Sequence, residues 1–190
     1  WPVAITKLPA REKITGAINV FRDRVIVATG GYIGDEPPYQ GHVVLLDRAG
    51  GRILSVFNTL CANIRRLMDP RSCPSSHGSV WAREGVLVEP NGTLLFATGR
   101  GHADDRTDFG NSVLELSPDA RRILQYWTPS DANERDAQDI DVGSTGPVPT
   151  GRGTVVQSGK DGKLHVLLAG RLQQEVQTLP APGGAAMIAG

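Results

Sequence analysis

Val27-Ala28-Thr29-Gly30, Phe96-Ala97-Thr98-Gly99 and Val156-Gln157-Ser158-Gly159 are three writings of one phrase. After each comes a loop and a second apolar run: Val43 to Leu46, Val113 to Leu116, and Leu164 to Leu167. A tight turn then leads into a third run: Arg52 to Phe57, Arg122 to Trp127, and Leu172 to Val176. A unit that recurs in this way is one supersecondary element that cannot bury both of its faces alone. It must stack on copies of itself.

The first unit runs over about 16–59. Ala17-Ile18-Asn19-Val20-Phe21 is its candidate innermost strand, Arg22-Asp23 a turn, and Pro37-Pro38 excludes regular structure from the following loop. The second unit covers about 79–128, with a turn at Pro90-Asn91-Gly92, and the third about 144–179, with a hairpin at Lys160-Asp161-Gly162-Lys163. Four short strands joined by hairpins make a propeller blade. The expected fold is therefore all-β: a single β-propeller segment over 1–190, about three four-stranded antiparallel blades with partial blades at both ends. Its open edges need another chain or the remaining blades to cover them. Trp1-Pro2-Val3 reads as the middle of a longer protein, and Gly183 to Gly190 reads as the opening of another strand.

Glycine (23) and proline (13) are plentiful and aromatics are 5%, a balance that suits short strands joined by turns. Twenty basic and 20 acidic residues give zero formal charge, so no electrostatic footprint for nucleic acid or an anionic membrane is present. The apolar runs are far too short to make a transmembrane segment. Cys61 and Cys73 flank a long proline-containing loop. A disulfide between them is the first expectation, with two reduced, part-buried cysteines as the alternative. Pairing would place the chain in an oxidising compartment, periplasmic or extracellular, as for a secreted protein.

Several pieces together resemble the PQQ-repeat propellers of the quinoprotein alcohol dehydrogenase family, where PQQ is pyrroloquinoline quinone. They are Ser79-Val80-Trp81, Glu89-Pro90, Ala97-Thr98-Gly99-Arg100-Gly101, Gln125-Tyr126-Trp127-Thr128-Pro129-Ser130-Asp131, and Asp139-Ile140-Asp141 followed by Pro147-Val148. Their shared order over residues 16–170 carries the resemblance. It implies a tryptophan under the cofactor, a Glu and an Asn on a calcium ion, an Asp as general base and a cation at the quinone oxygens. A hard cation takes carboxylate and carbonyl oxygens and polarises the quinone.

By that resemblance, Trp81 matches the stacking tryptophan, against a core indole between blades. Glu36 matches the calcium ligand, against a solvated loop carboxylate. Asp139 matches the general base, with Asp141 second, against an Asp capping the start of a blade. Lys160 matches the quinone-contacting cation, against a turn lysine facing solvent. Arg100 departs from the pattern, because it stands where the calcium-binding Asn belongs and a fixed positive charge is wrong for that role. Asn111 could substitute only if its loop folds back.

His42, His77, His102 and His165 show no metal-ligand spacing, with His165 a packed or edge residue of a strand. Asp104 to Asp108 lacks the spacing of a dedicated calcium loop, and Gly99-Arg100-Gly101 opens no helix. Two functions follow. The first is a non-catalytic extracytoplasmic scaffold or protein-binding module with no cofactor, its partner a protein or the remaining blades. The alternative is a portion of a PQQ- and calcium-dependent alcohol dehydrogenase.

Overall fold

The computed structural model describes residues 2–32 and 34–182; the strand expected at 183–190 lies outside the described residues. Three antiparallel sheets form in chain order. The first holds β1 (Glu12–Ile14), β2 (Asn19–Phe21), β3 (Arg24–Gly31), β4 (His42–Asp47) and β5 (Ile53–Asn58). The second is β6 (Leu87–Val88), β7 (Leu94–Ala97), β8 (Val113–Leu116) and β9 (Ile123–Trp127). The third is β10 (Val148–Pro149), β11 (Thr154–Ser158), β12 (Lys163–Leu168) and β13 (Arg171–Pro180). The strand β3 is shared: its first part pairs with β2 and its last three residues with β1.

The sheets stack face to face because side chains alternate across each strand. Ile26, Ala28, Val43, Leu45 and Phe57 of the first sheet meet Leu94, Phe96, Leu114 and Leu116 of the second. On its other face the second sheet offers Leu95, Ala97, Val113 and Trp127 to Val155, Leu167 and Leu172 of the third. Apolar faces buried on both sides of a middle sheet are the stacking of β-propeller blades, and this is a propeller segment.

The recurring phrase has a physical cause. The Thr29 hydroxyl accepts from the His42 amide at 2.9 Å and donates to the Gln40 carbonyl, and Thr98 does the same with Ser112 and Phe109. Each hydroxyl therefore staples the end of one strand to the start of the next. In the first two copies the glycine after it leaves room for the following unit: a Cβ on Gly30 would lie 2.9 Å from Ser79 Oγ and on Gly99 2.7 Å from Asp141 Oδ1. In the third the close neighbour is the connection that precedes the sheet, with a Cβ on Gly159 2.4 Å from the Asp141 carbonyl.

The connection between the second and third sheets holds a short helix, α1 (Ala132–Gln138). Cys61 and Cys73 form a disulfide, which closes the loop between the first two sheets. Among the described residues, no helix is long and apolar enough to cross a membrane.

Candidate functional site

A cavity of about 480 Å³ opens where β3, β7 and β11 end, with Gly31, Gly99 and Lys160 in its lining. Each blade delivers residues there because the chain leaves its strand at that point. Gly31, Asp35 and Tyr39 come from the first unit, Ser79, Trp81 and Arg100 from the second, Asp139 and Asp141 from the connection to the third, and Lys160 from the turn between β11 and β12. Lys13 and Ile14 of β1, with Thr15, complete a wall.

Three carboxylates and two cations interlock inside it. The Arg100 guanidinium donates to Asp35 Oδ2 from Nη2 at 2.9 Å and from Nε at 3.1 Å, and its Nε lies 3.3 Å from Asp139 Oδ1. The Lys160 ammonium donates to Asp139 Oδ2 at 3.1 Å and to Asp141 Oδ2. It also lies 5.7 Å from the centroid of the Trp81 ring. Asp141 Oδ1 accepts from the Arg100 backbone amide, and Asp35 accepts from the Tyr39 hydroxyl.

Burial and pairing pull these groups in opposite directions. Burial pushes the Asp141 carboxyl above the ordinary range, against the pull of Lys160 and the Arg100 amide. For Lys160, burial works to lower the ammonium, but Asp141 and then Asp139 carry it above its usual value. Burial is the main cause that raises the Tyr39 hydroxyl, reinforced by its bond to Asp35. His77, packed edge-on against Tyr39, is pulled down by burial and by Arg100.

Of the residues singled out in the sequence, Trp81, Asp139, Asp141, Lys160 and Arg100 share this cavity. Glu36 is not among the residues that line it: it is exposed and pairs with Arg11. Its neighbour Asp35, in the left-handed region at φ 54°, is the carboxylate that faces in. Asn111 is fully buried and spent on backbone, accepting from the Val142 amide at 3.0 Å and donating to the Ala132 carbonyl at 3.3 Å. Asp104 likewise accepts the amides of Arg106, Thr107 and Asp108.

Two clusters elsewhere gave no signal in sequence, because in each the members that complete it lie far apart along the chain: 30 positions between Glu12 and His42, and 26 between Arg135 and Asp161. Glu12, His42 and Asn58 join in the interior of the first sheet. Between the second and third sheets, Asp161 accepts from Arg135 and His165, each at 2.8 Å, and His165 also contacts Glu175.

No protein-family profile matches the chain, and no curated protein matches it in sequence. Solved structures do match. The quinohemoprotein alcohol dehydrogenase from Comamonas testosteroni superposes with a TM-score of 0.65 at 16% identity, over 91% of this chain and 30% of that one. A europium-containing methanol dehydrogenase gives 0.66 at 18% identity, over 89% and 34%. The chain thus spans about a third of the length of each. At these identities the likeness establishes a shared propeller fold and carries no chemistry across.

Proposed function

We propose that this is a non-catalytic, extracytoplasmic propeller segment that works by association. The observation that carries the reading is the internal neutralisation of the cavity: Asp35, Asp139 and Asp141 are all engaged by Arg100 and Lys160. Calcium needs several free oxygen ligands, and here a guanidinium lies across two of the three carboxylates while Glu36 stays outside. The residues present do not fit that ion, so no oxidation step is derived through it or its quinone. The disulfide agrees with a periplasmic or extracellular setting.

Association is supported by the outer face of the third sheet. Val156, Leu164, Val166 and Leu168 share it, only half-buried, beside the exposed Val148. The first two sheets each bury the matching face on the next sheet, so the occupant proposed is a further blade-type sheet. The convergence of Trp81, Asp139 and Lys160 favours a second reading, part of a PQQ-dependent dehydrogenase. Titration with PQQ and calcium, followed by tryptophan fluorescence and dye-linked alcohol oxidation, separates them. The non-catalytic reading expects neither saturable quenching nor turnover; calcium-dependent quenching with turnover would overturn it.

A further inference from the structure

One wall of the cavity is held from a distance. Residues 2–15 run across the first sheet as a strap. Val3 and Ile5 pack over Val27, Val44, Leu46 and Val56, on the face turned away from the second sheet. The strand β1 then pairs with the end of β3, placing Lys13 and Ile14 in the cavity wall, and Thr15 donates to the Val80 carbonyl at 2.8 Å.

Beneath the strap lies a buried polar chain. Both side chains of Glu12 and His42 are fully buried. Glu12 Oε1 accepts from the Gln40 amide at 2.8 Å, and Oε2 accepts from Thr6 at 2.5 Å and faces His42 Nε2 at 3.2 Å. On its far side, His42 Nδ1 lies 2.7 Å from Asn58 Oδ1. Asn58 Nδ2 donates to the Ile64 carbonyl at 2.6 Å and the Arg66 carbonyl at 3.2 Å. Those two donations fix the amide, so its oxygen can only accept, and His42 carries a proton on Nδ1. Ile64 and Arg66 sit in the loop closed by Cys61–Cys73, and Leu67 of that loop packs on the same patch as Val3 and Ile5.

We propose that residues 2–15 are a strap latched through Glu12–His42–Asn58 to the disulfide-closed loop, so that the closure of the loop sets the wall of the cavity. The physical reason is asymmetry. The Glu12 carboxyl, held by the Gln40 amide, the Thr6 hydroxyl and its contact with His42, stabilises the strap only while all three are in place, and losing one leaves a buried polar group unsatisfied. Coupling through such a chain is reciprocal: loosening the loop loosens the strap, and lifting the strap loosens the loop. The inference goes beyond the association reading and is independent of what the cavity binds.

Hydrogen exchange on the whole chain tests it. Glu12→Ala should speed exchange about tenfold or more in residues 8–15 and in residues 62–68, with the third sheet unchanged. The paired Cys61→Ala, Cys73→Ala variant should speed exchange in both segments too, and Glu12→Gln, which keeps an acceptor for the Gln40 amide, should restore part of the protection. If either variant unfolds the chain, the wild type is instead reduced with dithiothreitol, alkylated and compared with the oxidised form. Fast exchange in 62–68 with residues 8–15 still protected would overturn the coupling. Unaltered exchange of residues 8–15 in Glu12→Ala would overturn the latch.

Discussion

Replacing Arg100 by Asn asks what keeps a divalent cation out of the cavity. In the native chain the lining counts three carboxylates, Asp35, Asp139 and Asp141, against three cations, Arg100 and Lys160 paired with them and Lys13 in the wall. Arg100→Asn removes one cation, so the balance falls from zero to minus one, and it frees oxygens on Asp35 and Asp139. Both carboxylates are well exposed, at 43% and 55%, so the lost pairs should cost only about 1 kcal/mol of stability. Asn adds a neutral carbonyl oxygen of the kind calcium accepts. Three carboxylates, two of them still held by Lys160, should give the affinity of a weak extracellular site, with Kd on the order of 10⁻⁴–10⁻³ M. Calorimetry with calcium alone, backed by terbium luminescence sensitised through Trp81, reads this directly. The wild type should show no saturable binding up to about 10 mM calcium. A wild-type Kd in the micromolar range would refute the reasoning, since Arg100 would then be no barrier. An Arg100→Asn protein as silent as the wild type would refute it from the other side.

Gly159→Ala should destabilise by about 3 kcal/mol, because its Cβ meets backbone atoms at 2.4 and 2.9 Å that cannot yield cheaply; that is a fall of about 1.5 M in the urea midpoint. Gly50→Ala, whose nearest neighbour is the Asp47 side chain at 3.2 Å, should move it by less than about 0.3 M, and equal shifts would sink the close-approach account. His165 is held above its ordinary pKa, burial being outweighed by Asp161 and Glu175, with Arg135 facing the same Asp161. Its contribution to stability is complete below the unfolded histidine value and is lost as pH rises through the folded one, at about 1.4 kcal/mol per unit of elevation. Urea midpoints between pH 5 and 9 should therefore fall on the alkaline side, and His165→Gln should flatten that slope. Arg135→Met leaves the buried Asp161 with His165 as its remaining ionic partner, and should cost about 3 kcal/mol in the same denaturation assay. Reducing the disulfide, which spans 12 positions, should lower stability by about 3 kcal/mol; a loss under about 1 kcal/mol would mean that the reduced chain keeps the loop ordered.

The propeller was legible because its signals are local. Alternation along β3, β4, β7 and β8 sets two buried faces per sheet, and Asn91-Gly92 and Asp161-Gly162 mark hairpins, although only Gly92 and Gly162 take positive φ. The helix α1 was not legible. Its sequence, Ala-Asn-Glu-Arg-Asp-Ala-Gln, has no apolar stripe, and its anchor is the buried Arg135, whose partner Asp161 lies 26 residues on. The cavity was legible in part. Trp81, Asp139 and Lys160 stood out through a family pattern, whereas Asp35 rather than Glu36 faces inward because of one backbone turn at φ 54°. Glu12, His42 and Asn58 are separated by 30 and 16 positions, and no spacing rule reaches across such gaps.

The repeat also explains why the cavity carries charge where it does. Each blade junction needs an acceptor for the amide that follows the repeated glycine. At the first junction Ser79 Oγ accepts from the Gly31 amide at 3.2 Å; at the second, Asp141 Oδ1 accepts from the Arg100 amide. The two positions do the same structural work, one with a neutral hydroxyl and one with a carboxylate. Asp141 is therefore first a clasp between blades, and its second oxygen is left over to hold Lys160. A serine there could keep the clasp but not the ion pair, and Lys160 would keep only Asp139. The charged mesh of this cavity thus grows out of a hydrogen bond that blade stacking requires in any case.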